Sequence, residues 1–380
     1  MKWETIRFGD LYEVDSRNGL TKPSKVRGSG YKMINMGELF SNDRIYDIPM
    51  ELVPLKDNEK KNSKVEVGDL LFARQSLVLE GAGKCCIVMA VSKLTVFESH
   101  IIRVRLKKEL ANSLFYYYYF RSPLSPIKTI VSQCAQAGIR ASDLQEINVV
   151  LPDIKEQTRI ADILSTYDNL IENNQQQIKL LEEAAQRLYK EWFVDLRFPG
   201  YENTKIVDGV PEGWRKVSVT DLLDIKYGKD HKKLENGDIP VYGSGGVMRK
   251  VNKLLYSGES VLIPRKGSLN NIMYVSGDFW TIDTMFYSVP KLESISKLVY
   301  LFLKTLDMYS YNIGAAMPSM TVNILSGIYL CVPDDVLLNV FEDSISSYFK
   351  MIYYLNKQIE LTAKSRDMLL PRLMSGEVEV

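Results

Sequence analysis

The 380-residue chain is predicted to be an α/β (α+β) protein in which two mixed globular segments are each followed by a long helix, the second half repeating the plan of the first. Three observations predict this. Between residues 151 and 200, apolar or small residues stand at Ile160, Leu164, Tyr167, Ile171, Ile178, Leu181, Ala185, Leu188 and Trp192, with Asn174 in the polar slot. Steps of four and three alternate, as along a coiled-coil seam. An offset of 181 residues, from Pro152 to Pro333, carries the seam onto Phe341, Ile345, Tyr348, Ile352, Leu355, Ile359, Thr362, Arg366, Leu369 and Leu373. All but Thr362 and Arg366 are Phe, Tyr, Ile or Leu, which chance rarely produces. Third, each seam is preceded by short β-branched runs bounded by glycine, the signature of strands.

Residues 1–150 open with Trp3 and a short helical signal, FGDLYEV, and continue into the strand-like runs VEVGDLLFARQ and KCCIVMAV. LANSLFYYYYFRSP reads as a helix stopped by Ser122-Pro123. Its tyrosines at 116–119 have two readings: a platform on which bases stack, or, favoured about four to one, an ordinary helix with one or two rings in the core and the others at the surface. In residues 151–200, Asp153 stands where an N-cap belongs and Glu156 where its capping-box partner belongs, while Pro199-Gly200 punctuates the far end. A single helix over residues 154–192 is about 58 Å long at about 1.5 Å per residue, longer than a globular core requires. Residues 201–213, YENTKIVDGVPEG, read as a polar linker.

Residues 201–332 then repeat the plan. Trp214 echoes Trp3, WRKVSVTDLLDIKYGK parallels WETIRFGDLYEVDSRNG, SGESVLIPRKGSL parallels VEVGDLLFARQSL, and KLVYLFLKTL follows in the place of LANSLFYYYYF. The offset shrinks from 211 to 181 residues, so the second globular segment is shorter by about 30, chiefly in its early loops. Repeated parts are scaffold; the differing loops are where each half would recognise something different. Residues 333–380 carry the second seam, which departs from the pattern at Thr362 and Arg366 and is expected to loosen there.

Composition excludes several classes. Hydrophobic residues make up 46% and charged residues 25%, an ordinary globular balance, and there is neither a membrane-spanning apolar run nor a secretory h-region at the N-terminus, which reads as cytoplasmic and without a membrane partner. Cys85, Cys86, Cys134 and Cys331 form no C-x-x-C pair and suggest neither a disulfide framework nor a zinc site. The net charge is +1, yet residues 1–150 hold 22 Lys+Arg against 17 Asp+Glu and residues 201–332 hold 15 against 13, while residues 151–200 hold 6 against 9 and residues 333–380 hold 5 against 8. Basic globes on acidic rods are weak support for nucleic acid. Gly81-Ala82-Gly83-Lys84 fails as a phosphate loop because Val78 replaces the first glycine and Cys85 the Ser or Thr. Gly243-Ser244-Gly245-Gly246 fails as a dinucleotide fingerprint at Met248. With His100 and His231 as the only histidines and no carboxylate pair singled out by spacing, the chain is expected to have no catalytic residues, metal or cofactor of its own.

LPDIKEQTRIADILSTYDNLIENN with IKLLEEAAQRLYKEWFVDLRFPG resembles the first conserved helical region of the specificity subunits of type I restriction-modification systems, and LCVPDDVLLNVFEDSISSYFKMIYYLNKQIELTAKSRDMLLPRLMSGEVEV resembles the second. IPVYGSGG and VLIPRKGSL look like recurrent pieces of their target-recognition domains. The resemblance implies target-recognition domains at 1–150 and 201–332, separated by two long antiparallel coiled-coil helices at 151–200 and 333–380, with an internal pseudo-twofold duplication. It further implies a non-catalytic subunit that binds double-stranded DNA, each domain reading one half of a bipartite site and the helices acting as a spacer ruler. The expected partners are two modification (adenine methyltransferase) subunits docked on the helices, and a restriction (endonuclease/translocase) subunit. S-adenosylmethionine, ATP and magnesium belong to those partners.

Within that reading, Arg74, Gln75 and Ser76, and Arg265, Lys266, Ser268 and Asn270, follow predicted strands, where a loop can enter a groove, and Arg and Gln are side chains that read guanine and adenine bidentately. Tyr242, Ser244, Arg249 and Lys250 flank a glycine run that permits close approach to phosphates; Lys84 and Arg140 are comparable candidates. For each of these a solvated surface role is about as probable as contact. The seam and partner-binding residues are Ile160, Leu164, Ile171, Asn174, Ile178, Leu181, Leu188 and Trp192, with Ile345, Ile352, Leu355, Ile359 and Leu369; Asn174 is expected to set helix register. Two other function classes stay open on the residues alone. A coiled-coil assembly protein would bind matched and scrambled DNA equally, and an enzyme with a cryptic site would turn over substrate alone.

Overall fold

The computed structural model describes residues 3–133, 137–311 and 319–380. The chain divides into two compact units, one of Met1–Asn174 with Lys357–Val380 and one of Gln175–Asn356. Each unit therefore holds one globular segment together with a stretch of both long helices.

Both seams fold as long helices. The first helix spans Ile154–Tyr189 and passes into a π-helical turn at Lys190–Val194; the second spans Asp335–Met374. Their starts are built alike. Asp153 Oδ1 accepts the backbone N–H groups of Lys155 and Glu156 at 2.9 and 3.0 Å, and Asp334 Oδ1, 181 residues later, accepts that of Leu337 at 2.9 Å. Glu156, expected to complete the first cap, accepts the Trp3 indole N–H at 3.0 Å, which ties the entering strand to the helix.

In the first unit the strands Tyr12–Asn18, Ile101–Leu106, Leu70–Ala73, Cys85–Val88 and Arg44–Ile45 form one sheet in that order. A separate antiparallel pair joins Glu4–Arg7 to Asn148–Leu151. The second unit repeats the plan: Leu223–Tyr227, Met285–Pro290, Ser260–Pro264 and Met273–Val275 in one sheet, and Arg215–Ser218 paired with Tyr329–Val332. The first unit's sheet has the extra edge strand Arg44–Ile45, supplied by the longer early loops that the shrinking offset had located. Each core is sealed by both rods. Ile160, Leu164, Leu370, Leu373 and Met374 join the first, and Ala185, Tyr189, Trp192, Phe341 and Ile345 the second.

Several expectations change. FGDLYEV is a 3-10 turn at Phe8–Leu11 followed directly by a strand from Tyr12; Phe8 and Leu11 are buried and Tyr12 packs against the same core. The polar linker 201–213 contains a hairpin not anticipated from its composition: Ile206–Val207 pairs with Val210–Pro211 across Asp208 and Gly209, both at positive φ (52° and 77°), the two-residue hairpin geometry that Asp-Gly favours. The tyrosines at 116–119, on the helix Ser113–Arg121, are all buried, rather than one or two of them. Each of three finds a polar partner: Tyr116 Oη donates to Val150 O (2.9 Å), Tyr118 Oη donates to Asp168 Oδ2 (2.7 Å), and Tyr117 Oη accepts from Arg121 (2.7 Å). A phenol so paired can be buried without an unsatisfied hydroxyl, and none of these rings is available to stack on a base.

Candidate nucleic-acid interface

Ile160, Leu164, Trp192, Ile345 and Leu355 are buried, and Ile171, Ile178, Leu181, Leu188, Ile352, Ile359 and Leu369 are half-buried. In the first unit the helices run antiparallel: Asn174 Nδ2 donates to Gln358 Oε1 (3.1 Å), while six residues earlier on one helix and eight later on the other Asp168 pairs with Arg366. In the second unit Trp192 and the adjacent Phe193 both meet Phe341, at centroid separations of 5.4 and 4.8 Å. Adjacent residues of a regular α-helix point about 100° apart. The π turn over Lys190–Val194 widens the helix there and lets both rings reach one partner.

Arg366, expected to loosen the seam, fastens it. Its guanidinium holds Asp168 Oδ1 while Tyr118 donates to the other carboxylate oxygen, so the pair links both rods to the helix Ser113–Arg121. Burial opposes the Arg366 charge, but the hydrogen bond and attraction of Asp168, with Asp367, win and raise its pKa. Thr362 is buried in the same seam. Heptad spacing could not reveal this, because Asp168 flanks the seam. A hint was legible only as an unmatched acid and base at reciprocal places in two antiparallel helices.

In the first unit, Arg74 follows the strand Leu70–Ala73, and Gln75–Ser76 pair with Ala137–Gly138. Ile139 N donates to Arg74 O at 2.9 Å, so this ladder brings Arg140, which is exposed, beside the Arg74 loop. Arg74, Gln75 and Ser76 are half-buried. Lys84 is turned to internal work: its ammonium contacts Asp43 Oδ1 (2.9 Å), donates to Phe40 O (2.8 Å) and lies over the Phe40 ring. Burial raises the Asp43 pKa, but Arg121 and Lys84 outweigh it and hold that carboxyl below its usual range. Cys85 and Cys86 are buried free thiols, pushed upward in pKa by burial, and Cys331 is also free; Cys134 lies outside the described residues.

In the second unit, the strands Ile239–Gly243 and Gly246–Val251 form a hairpin, with Tyr242 on its first strand, Ser244 at its turn and Arg249 and Lys250 on its return strand. Arg265, Lys266 and Ser268 follow the strand Ser260–Pro264, as expected. The two stretches converge: Asn271 Nδ2 donates to Ser244 O at 2.8 Å, and a Cβ on Gly267 would stand 2.6 Å from Ser244 Oγ. Lys266 and Ser268 are exposed on that surface. Others are engaged inside the unit. Arg265 donates to Asp283 O (2.7 Å) and lies over Tyr227 at 4.7 Å; Arg249 donates to Leu234 O; Asn270 bridges Asp307 (3.0 Å) and the Met308 N–H (2.7 Å). Tyr242 is half-buried against Phe279. Of the candidates, Arg140, Lys266, Ser268 and Asn270 are exposed, while Arg74, Gln75, Ser76, Ser244 and Lys250 are half-buried.

Among the described residues, no group of three or more His, Cys, Asp or Glu side chains is arranged to hold a metal ion, and no helix is long and apolar enough to cross a membrane.

Known proteins share this plan over the whole chain. The type I restriction enzyme MjaIX specificity subunit of Methanocaldococcus jannaschii is 25% identical, covering 100% of this chain and 94% of that protein. The HindI specificity subunit of Haemophilus influenzae is 22% identical, covering 99% of each. The crystal structure of a type I restriction-modification S subunit from M. genitalium has the same fold, with a TM-score of 0.60 at 18% identity and coverage of 98% of this chain and 96% of that one. The family described as the type I restriction modification DNA specificity domain matches residues 1–183 and again 211–360, once for each repeat of strands and helix, and the chain belongs to that family of specificity subunits.

Proposed function

We propose that this chain is the non-catalytic DNA-reading subunit of a type I restriction-modification complex, with each globular segment recognising one half of a bipartite double-stranded site. The observation that carries the reading is a scaffold repeated in plan whose loops differ: Arg74-Gln75-Ser76-Leu77 follows an interior strand of the main sheet in one unit, Arg265-Lys266-Gly267-Ser268 in the other. Two readers on one plan with unlike tips suit an asymmetric split site. The long helices act as a spacer ruler, since an α-helix has a fixed rise of about 1.5 Å per residue, and as the docking surface for two modification subunits and a restriction subunit. S-adenosylmethionine, ATP and magnesium act in those partners, within the cytoplasm.

The test is co-expression with the neighbouring modification gene and a genome-wide map of methylated adenines. A bipartite motif is expected, and replacing residues 1–150 with those of a relative should change one half of it. A contiguous motif, or a change in both halves, would overturn the assignment.

A further inference from the structure

The loop after Leu70–Ala73 is built as a rigid projection with an apolar tip. Its stem closes where Gly83 N donates to Ala73 O at 2.8 Å, and inside it Val78 N donates to Ser76 Oγ (3.2 Å), Gly81 N to Val78 O (3.2 Å) and Ala82 N to Leu79 O (3.3 Å). Side chains are excluded from the stem. A Cβ on Gly81 would lie 2.2 Å from Ser76 Oγ, and Gly83, at φ +76°, would place one 2.3 Å from Ile127 Cγ2. At the tip Leu77 is 89% exposed, Val78 59% and Leu79 48%. Phe40, 40% exposed, abuts the stem, its Cε1 3.1 Å from the Gly81 Cβ position.

Three consecutive apolar side chains left in solvent on a well-tied loop are hard to explain as scaffold, because their exposure forgoes stabilisation that burial provides. With Arg265 set against Arg74, the matching places in the second unit are Ser268, Leu269 and Asn270; two are polar, and Leu269 is buried in the core. The apolar tip therefore belongs to what distinguishes the readers. It directly continues Arg74, Gln75 and Ser76, and its charged member, the exposed Glu80, is repelled by phosphate. A tip with that character gains little along the DNA backbone and most between base edges.

We propose that Leu77, Val78 and Leu79 are an apolar wedge that inserts at one base step of the half-site read by the first unit, partly unstacking it and adding specificity for a step that opens easily. This rests on the DNA-reading function proposed above. Burial of these side chains offsets the cost of unstacking only where that cost is low, so an easily opened step is accepted and a stiff one rejected.

The experiment uses the full chain assembled with its modification subunits and duplexes carrying the mapped motif, with 2-aminopurine at successive positions of the first unit's half, away from the methylated adenine. The wild type should give a fluorescence rise at one step. The variant Leu77→Ser/Val78→Ser/Leu79→Ser should lose that rise and bind the motif more weakly by about tenfold or more, the scale of one mismatched base pair. Its binding to scrambled DNA and its assembly with the modification subunits should be unchanged. The wedge is overturned by a rise that persists in the variant or is missing in the wild type. It is also overturned if the variant fails to assemble, which would make the tip a protein contact, or if replacing thymine by uracil reproduces the affinity loss without any rise, which would make it a methyl-group reader. Equal binding of matched and scrambled duplexes by the wild-type complex would instead refute DNA reading itself.

Discussion

At the scale of single residues, the Asp168–Arg366 pair shows how a charge at a seam position can bind two helices together. Asp168 is buried and held on one side by the Tyr118 hydroxyl and on the other by the Arg366 guanidinium. Arg366→Ala strands a buried carboxylate and should cost about 3 kcal/mol, read as a lower midpoint in urea unfolding. Joint replacement by Asp168→Asn and Arg366→Met, which keeps an acceptor for the buried Tyr118 hydroxyl, should recover most of that loss; equal destabilisation by the single and double variants would show that the pair itself supplies net stability. Asp43 offers a pH test. Its folded pKa is depressed because Arg121 (2.6 Å) and Lys84 outweigh desolvation. A carboxyl depressed on folding adds stability that is fully present above its unfolded pKa and is lost as pH falls through the folded value. Wild type should therefore lose more stability than Asp43→Asn on acidification below about pH 4, near the ordinary aspartate pKa; parallel acid curves would count against this pairing.

At the scale of elements, a periodic pattern states which face is apolar but not what covers it. The helix Ser113–Arg121 has six consecutive buried aromatic rings, from Phe115 to Phe120. The strand Cys85–Val88 packs against it and the first long helix reaches it at the Tyr118–Asp168 bond, so more than one face is covered, which a one-face reading of periodicity does not anticipate. Asn174 is the converse case, a polar seam residue that the pattern located and the fold buries, bonded to an exposed Gln358. Asn174→Leu leaves Gln358 free to bond water, so it should raise the thermal midpoint, by about 1 kcal/mol of stability, while weakening the register preference a buried Asn imposes. A lowered midpoint would mean that the Asn174–Gln358 bond is worth more than the apolar contact replacing it.

At the scale of the whole molecule, each long helix passes without interruption from one compact unit into the other, the first at residues 174–175 and the second at 356–357. Gln175→Pro removes one helical hydrogen bond there and adds a steric clash, a cost of about 3 kcal/mol confined to the rod. If the helices are the ruler, the methylated motif should keep both halves but appear with more than one spacer length; a single unchanged spacer would exclude that role. The sequence by itself determined the duplication, both rods to within a few residues and the strand-following position of the candidate loops, because these depend on local spacing and on caps such as Asp153 and Asp334. Only the tertiary structure decided that Arg366 clasps Asp168, that Lys84, Arg249 and Asn270 are engaged internally, and that Leu77–Leu79 stands in solvent. Those outcomes depend on residues distant in the chain that become neighbours only when sheet and rods close around a common core, and a one-dimensional pattern carries no record of such contacts.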